Sequence, residues 1–278
     1  MAIREGYRSL YGDLTKLKDG SLLNNPAGGA GDDDEMWQLL LAISEFVDNY
    51  CNRHFYPLTT TKLFDGSGAT RLLTPDLLAI TTLKADENED KTFEVTWATT
   101  DYWLEPYNAE PTKHWGQAYT SLLARAKGNK SEGFKDIEQG YQIVGKWGYK
   151  DLTEASGTTT TAAGYTATVT AINVATGGGA LLAIGQTIVI GSEQMLITAI
   201  ATDALTVVRG LNGTTAATIP ASLTAISIQR WPLPIERATL ITTARIWARA
   251  PAFEPFYVDV DMDSDVRQLL DGYRRLPV

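Results

Sequence analysis

Between Ala155 and Gln229 the chain carries only three charged side chains, Glu193, Asp203 and Arg209. Thr, Ala, Gly, Ile and Val dominate this stretch, and every Trp lies outside it. Runs such as GQTIVIG, EQMLITAIA and ALTVVRG alternate and are separated by GSE and ATD, so they read as strands joined by turns. TATVTAINVA and LTAISIQ are expected to pair with them at the two ends. The simplest account is an all-β module over 153–229, inserted into a host domain formed by 1–152 and 230–278. The ends of such an insert sit close together on the host surface. The expected fold class is therefore α+β: a helical host domain with a small antiparallel sheet, plus an inserted all-β sandwich or barrel-like domain.

The host reads differently. After a short helical signal at Ser9–Leu17 and a breaker-rich linker, NNPAGGAG at 24–31, comes the clearest helix, DDDEMWQLLLAISEFVDNYCNRHF. Asp32, Asp33 and Asp34 suit its positive N-terminal end. Leu40, Ile43, Val47, Tyr50, Cys51 and His54 fall three and four apart, which places them on one stripe. Pro57 ends the segment. TTTKLF, ATRLLT, LLAITTLKA, FEVTWATTDYWLEP and GYQIVGKWGY then read as short strands, while AYTSLLARAKGNKSEGF fits either a strand or a short helix. PLPIERATLITTARIWARA reads as a helix with Pro234 in its first turn. DSDVRQLLDGYRRLPV reads as a short amphipathic helix capped by Ser264 or Asp265, with Val266, Leu269, Leu270 and Tyr273 on one face.

The chain is 278 residues long with a net charge of −9. That balance argues against coating DNA, which needs clustered cations to displace counterions from phosphates. No apolar run reaches the ~18 residues of a membrane helix, and MAIREGYRSLYGDLTKL lacks the pattern of a secretory signal. A single cysteine excludes an internal disulfide framework and points to synthesis in a cytoplasm.

The candidate chemistry is sparse. Cys51 lies three residues from His54, but on an apolar helix stripe, where free cysteine behaves as a small hydrophobe. A zinc site needs more Cys or His ligands than His114 adds. DVDMDSD at Asp259–Asp265 resembles the start of a calcium loop, yet Ser264 and Leu270 stand where Gly and an acidic residue are required. Gly177, Gly178 and Gly179 lack a strand–GxGxxG–helix context and read as a flexible loop tip. Glu87 and Glu89 lie in a charged turn, ADENEDK. Trp97, Tyr102, Trp103, Tyr107 and Trp115 form an aromatic cluster suited to packing, to an interface or to a sugar platform. The reading is of a non-enzyme with no catalytic residues, no metal and no cofactor.

The host segments resemble the head–tail connector (adaptor) proteins of tailed bacteriophages. The DDD–x4–LL–x–A–x4–VD–x–YCNRHFYP helix is similar to that family's first long helix, with Arg53 and Phe55 in its Arg-x-Phe element. DYWLEPYNAEP, VGKWGY, PLPIERATLITTARIWAR and VRQLLDGYRR resemble later family segments in the same order. The insert resembles a small β-module that recurs in phage structural proteins, with Glu193 and Arg209 as its structural pair. The resemblance implies a virion protein at the head–tail interface, made in the host bacterial cytoplasm. It would form a homo-oligomeric ring, commonly of about twelve subunits, beneath the portal. Such a ring extends the DNA channel, passes double-stranded DNA without specific binding, and meets the next neck, tail-terminator or tail protein. The insert would project outward from the ring, where its neutral, Thr-rich surface suits contact with the capsid or neighbouring neck proteins, or forms a decoration without partners. Val266, Leu269, Leu270 and Tyr273 are the expected portal anchors, with Arg274 and Arg275 on the rim. The alternative is a virion or surface carbohydrate-binding module.

Overall fold

A computed structural model describes residues 8–19, 30–249 and 264–275. Most of the linker at 24–31 and most of the acidic stretch at 259–265 therefore lie outside the described residues. Two compact units emerge. Phe55–Leu152 make one, and the described parts of Met1–His54 and Thr153–Val278 make the other.

The first unit is an antiparallel sheet of β1 (Leu58–Phe64), β2 (Arg71–Ala85), β3 (Val95–Trp97), β4 (Tyr102–Glu105), β5 (Tyr119–Ala124) and β6 (Tyr141–Trp147). Their order is β1-β6-β2-β5-β4, with β3 also paired to β2. ATRLLT and LLAITTLKA are one 15-residue strand, not two. Pro75 sits where the β2–β5 register shifts between Leu73 and Leu77, a place where a missing N–H is tolerated. In β6, Tyr141, Ile143, Gly145 and Trp147 all point inward, the period of two expected of a half-buried strand. Trp97 stacks on Phe134 with centroids 4.7 Å apart, and Tyr141 meets both edge-on. The ambiguous segment at 118–134 supplies β5 and then turns, with no helix.

The second unit contains α1 (Leu14–Lys18), α2 (Asp33–Cys51), α3 (Leu233–Arg249) and α4 (Ser264–Asp271). Its sheet is built from β7 (Leu152–Thr159), β8 (Ala171–Asn173), β9 (Thr187–Ile190), β10 (Glu193–Ala201), β11 (Ala204–Val208) and β12 (Ala225–Arg230). The order is β7-β12-β9-β10-β11-β8. The two outer strands meet at a bridge between Thr160 and Val174, flanked by Ala175 N–H donating to the Thr159 carbonyl at 2.9 Å. The sheet thus curls until its edges touch, which satisfies backbone groups that an open edge would leave unpaired.

Ile172, Val174, Ile188, Ile190, Met195, Ile197, Leu205, Val207, Ile226 and Ile228 fill the interior of this curled sheet. Leu196 and Leu211 point the other way. They pack with Leu10, Leu14, Leu17, Met36, Trp37, Leu40, Leu240 and Ala244 of the helical layer. The stripe read on α2 is where burial falls, with Leu40, Ile43, Val47 and Cys51 inside and Tyr50 only half-buried. Asn52 ends α2 in the left-handed conformation, as a helix-terminating residue commonly does. Asp32 stands at its start without a side-chain cap bond, while Asp33 pairs with Lys18.

The expected fold class is corrected by this architecture. The chain is mostly β, with two six-stranded antiparallel sheets and four helices among the described residues. A helical host with a small sheet is not what forms. The helices, assigned above to a host with 55–152, share a core with the charge-poor sheet.

Candidate functional site

The expected docking helix α4 lies on α2 and α3. Val266 and Leu270 are already buried there, and the Cys51 Sγ lies 3.9 Å from the Leu270 carbonyl oxygen. Arg275 N–H donates to the Cys51 carbonyl at 2.8 Å. At the rim the Tyr50 hydroxyl donates to Asp271 at 2.5 Å, and the Arg274 guanidinium stands 5.4 Å over the Tyr50 ring. Arg245 donates two hydrogen bonds to Asp265, at 2.9 and 2.6 Å, which hold that carboxyl at about 2. Leu269, Tyr273 and Arg275 are half-buried and Arg274 is exposed. Of the six anticipated docking residues, Val266 and Leu270 therefore serve the chain's own core.

Cys51 has no exposure, and burial pushes its thiol up to about 12. Such a thiol is not a nucleophile at neutral pH.

Glu193 and Arg209 do meet. The Arg209 Nε and Nη2 donate to the two carboxylate oxygens at 2.7 Å each. Arg209 also donates to the carbonyls of Thr166 (3.1 Å), Val169 (2.8 Å) and Ala217 (2.6 Å). Glu193 accepts from Gly210 N–H and Ala217 N–H at 2.9 and 3.0 Å. Burial alone raises the Glu193 pKa, but Arg209 and the two amides outweigh it and hold the group below its ordinary value. The pair closes a loop corner and offers no open ligand position.

Asp86, Asp90 and Glu94 place one carboxylate oxygen each within 4.8 Å of one another. In sequence this segment is a charged turn, and the Asp86-x-Asn88-x-Asp90 spacing is the signal of the cluster. Asp86 is buried and accepts from the N–H groups of Asn88, Asp90 and Lys91. The loop's own amides thus offset that charge. The glycine run is no loose tip: Gly178 and Gly179 are buried in a 3-10 turn, and Gly177 and Gly179 donate to Asp203 at 3.0 Å.

The aromatic cluster divides. Trp97 and Tyr102 belong to the core. Trp103, Tyr107 and Trp115 are exposed, the last at 77%. All three lie on the β4–β5 hairpin and its loop. Arg125 covers Trp103 at 4.2 Å, Tyr107 meets that ring edge-on, and the Trp115 indole donates to Glu110 at 2.9 Å.

No family model matches the chain, and no curated protein matches it either.

Proposed function

We propose that the chain is a structural virion protein, a head–tail connector subunit that assembles as a ring beneath the portal and extends the DNA channel toward the neck. The reading rests on the resemblance of the host segments in their order along the chain. The observation that carries it further is α4. This helix is held by Val266 and Leu270, while Leu269 and Tyr273 are half-buried and Arg274 is exposed. In this reading Val266 and Leu270 fix the helix, and the other residues make the portal contact. The net charge of −9 suits a channel lining that must not trap phosphates. Native mass spectrometry with the portal ring tests the proposal. About one copy per portal subunit is expected, and deletion of 265–278 should abolish attachment. An intact, folded chain that never binds the portal defeats it.

A second reading, a carbohydrate-binding module, is favoured by the three exposed aromatic rings on one hairpin. Glycan-array binding lost on Trp103→Ala and Trp115→Ala would support it. Trp97 cannot serve as a platform, because its ring is stacked inside the core.

A further inference from the structure

Polar side chains line a buried seam between the outer face of the curled sheet and the segment leading to α1. Ser9 Oγ accepts from Thr187 Oγ1 and from Asn212 Nδ2, both at 2.8 Å, and Asn212 Nδ2 also reaches Gln194 Oε1 at 2.8 Å. One member stands apart. Gln229 is 3% exposed, yet neither its amide nitrogen nor its amide oxygen has a partner among the described residues. Buried amides are nearly always hydrogen-bonded, because an unmet donor or acceptor costs its full desolvation penalty.

Gln229 lines a small recess with Asp13, Gln186, Thr187, Arg230 and Trp231. The space is about the size of one water molecule, and its walls are largely polar. The charged groups on those walls are already engaged. Asp13 caps α1 through Lys16 N–H at 2.8 Å, Glu236 pairs with Lys16, and Arg230 pairs with Glu154 at 2.7 Å. A bare anion would meet the Asp13 and Glu236 carboxylates, whereas a neutral molecule that both donates and accepts matches the free amide. Among the described residues Asp13 Oδ2 receives only a long bond from Gln186, 3.4 Å, and so retains accepting capacity.

We infer that this recess is a binding site for one ordered water molecule, which accepts from the Gln229 amide nitrogen and donates to Asp13. The water ties β12 to the start of α1 and satisfies the nitrogen of the Gln229 amide.

Diffraction from crystals of the full chain at about 1.5 Å resolution tests this. A peak within roughly 3.2 Å of both Gln229 and Asp13 is expected. A recess without density, or a Gln229 amide turned onto a protein partner, overturns the inference. Gln229→Met, similar in length but apolar, gives a second reading of opposite sign for the two cases. With water bound, the variant loses the bridge and its melting midpoint falls by about 2–4 °C. With a dry recess, removing an unmet amide raises the midpoint. If the variant does not fold, the wild-type density decides alone.

Discussion

Removing Arg209 alone strands a carboxylate. Glu193 and Arg209 are only 1% and 6% exposed in their side chains, so Arg209→Met leaves Glu193 with two amide donors and no counter-charge. Breaking one side of a buried pair costs about 3–5 kcal/mol. Adding Glu193→Leu removes the stranded charge. What then remains unmet are chiefly the Val169 carbonyl and the Gly210 and Ala217 amides, at about 1 kcal/mol each. The double variant should therefore be no less stable than Arg209→Met, and up to about 2 kcal/mol more stable at neutral pH. The pH dependence gives an independent sign. In the wild type the Glu193 pKa is depressed, so its contribution is present above the ordinary value of 4.5 and lost as pH falls through the folded value. In Arg209→Met burial is opposed only by the two amides, the pKa rises, and acid stabilises that variant. The gap between the two should be widest at pH 7–8 and should narrow toward pH 4. Urea unfolding followed by circular dichroism measures both effects. Strictly additive losses, or a gap constant from pH 4 to 8, would refute the reasoning.

Three further outcomes are expected. Burial raises the Asp48 carboxyl to about 7 against the opposing effects of Arg8 and Tyr11, so its contribution is full below the ordinary 3.8 and lost as pH rises to about 7. Asp48→Asn should flatten the stability-versus-pH slope across that window. Cys51 should resist a thiol-disulfide reagent at pH 8 in the native chain, and Leu270→Ala, costing about 2–5 kcal/mol, should expose it; equal reaction rates would show that α4 does not cover it. A Cβ at Gly66 would lie 1.6 Å from the Lys135 carbonyl oxygen, so Gly66→Ala should destabilise the first sheet by about 1–3 kcal/mol or more, read as a lowered denaturant midpoint.

The α2 stripe was legible because its apolar residues recur at the helical period and tertiary packing agrees with that period. The partner of the stripe was not. The drop in charge after Ala155 was read as a domain border, yet Met195, Leu196 and Ile197 are all buried in succession. An antiparallel strand with one face in water alternates, so an unbroken apolar run signals cover on both faces. That signal placed helices over β10, and composition masked it. ATRLLT and LLAITTLKA read as two strands although they are one, and the residue between them that interrupts the pattern, Pro75, sits at a register shift where a proline is tolerated. Glu193 and Arg209 stood out as lone charges in a neutral stretch. Gln229 did not, since an amide without a partner differs in no way from its neighbours until the fold surrounds it.

The chain path has a consequence for synthesis. Phe55–Leu152 is a continuous stretch and can fold as soon as it has emerged. The other unit is divided around it. α2 buries its stripe partly against α3, which begins about 180 residues after α2 ends. At roughly 5–20 residues per second, that leaves α2 waiting about 10–40 s. For that interval its apolar stripe lacks its partner, an invitation to chaperones and the period in which a stalled ribosome would release an aggregating fragment.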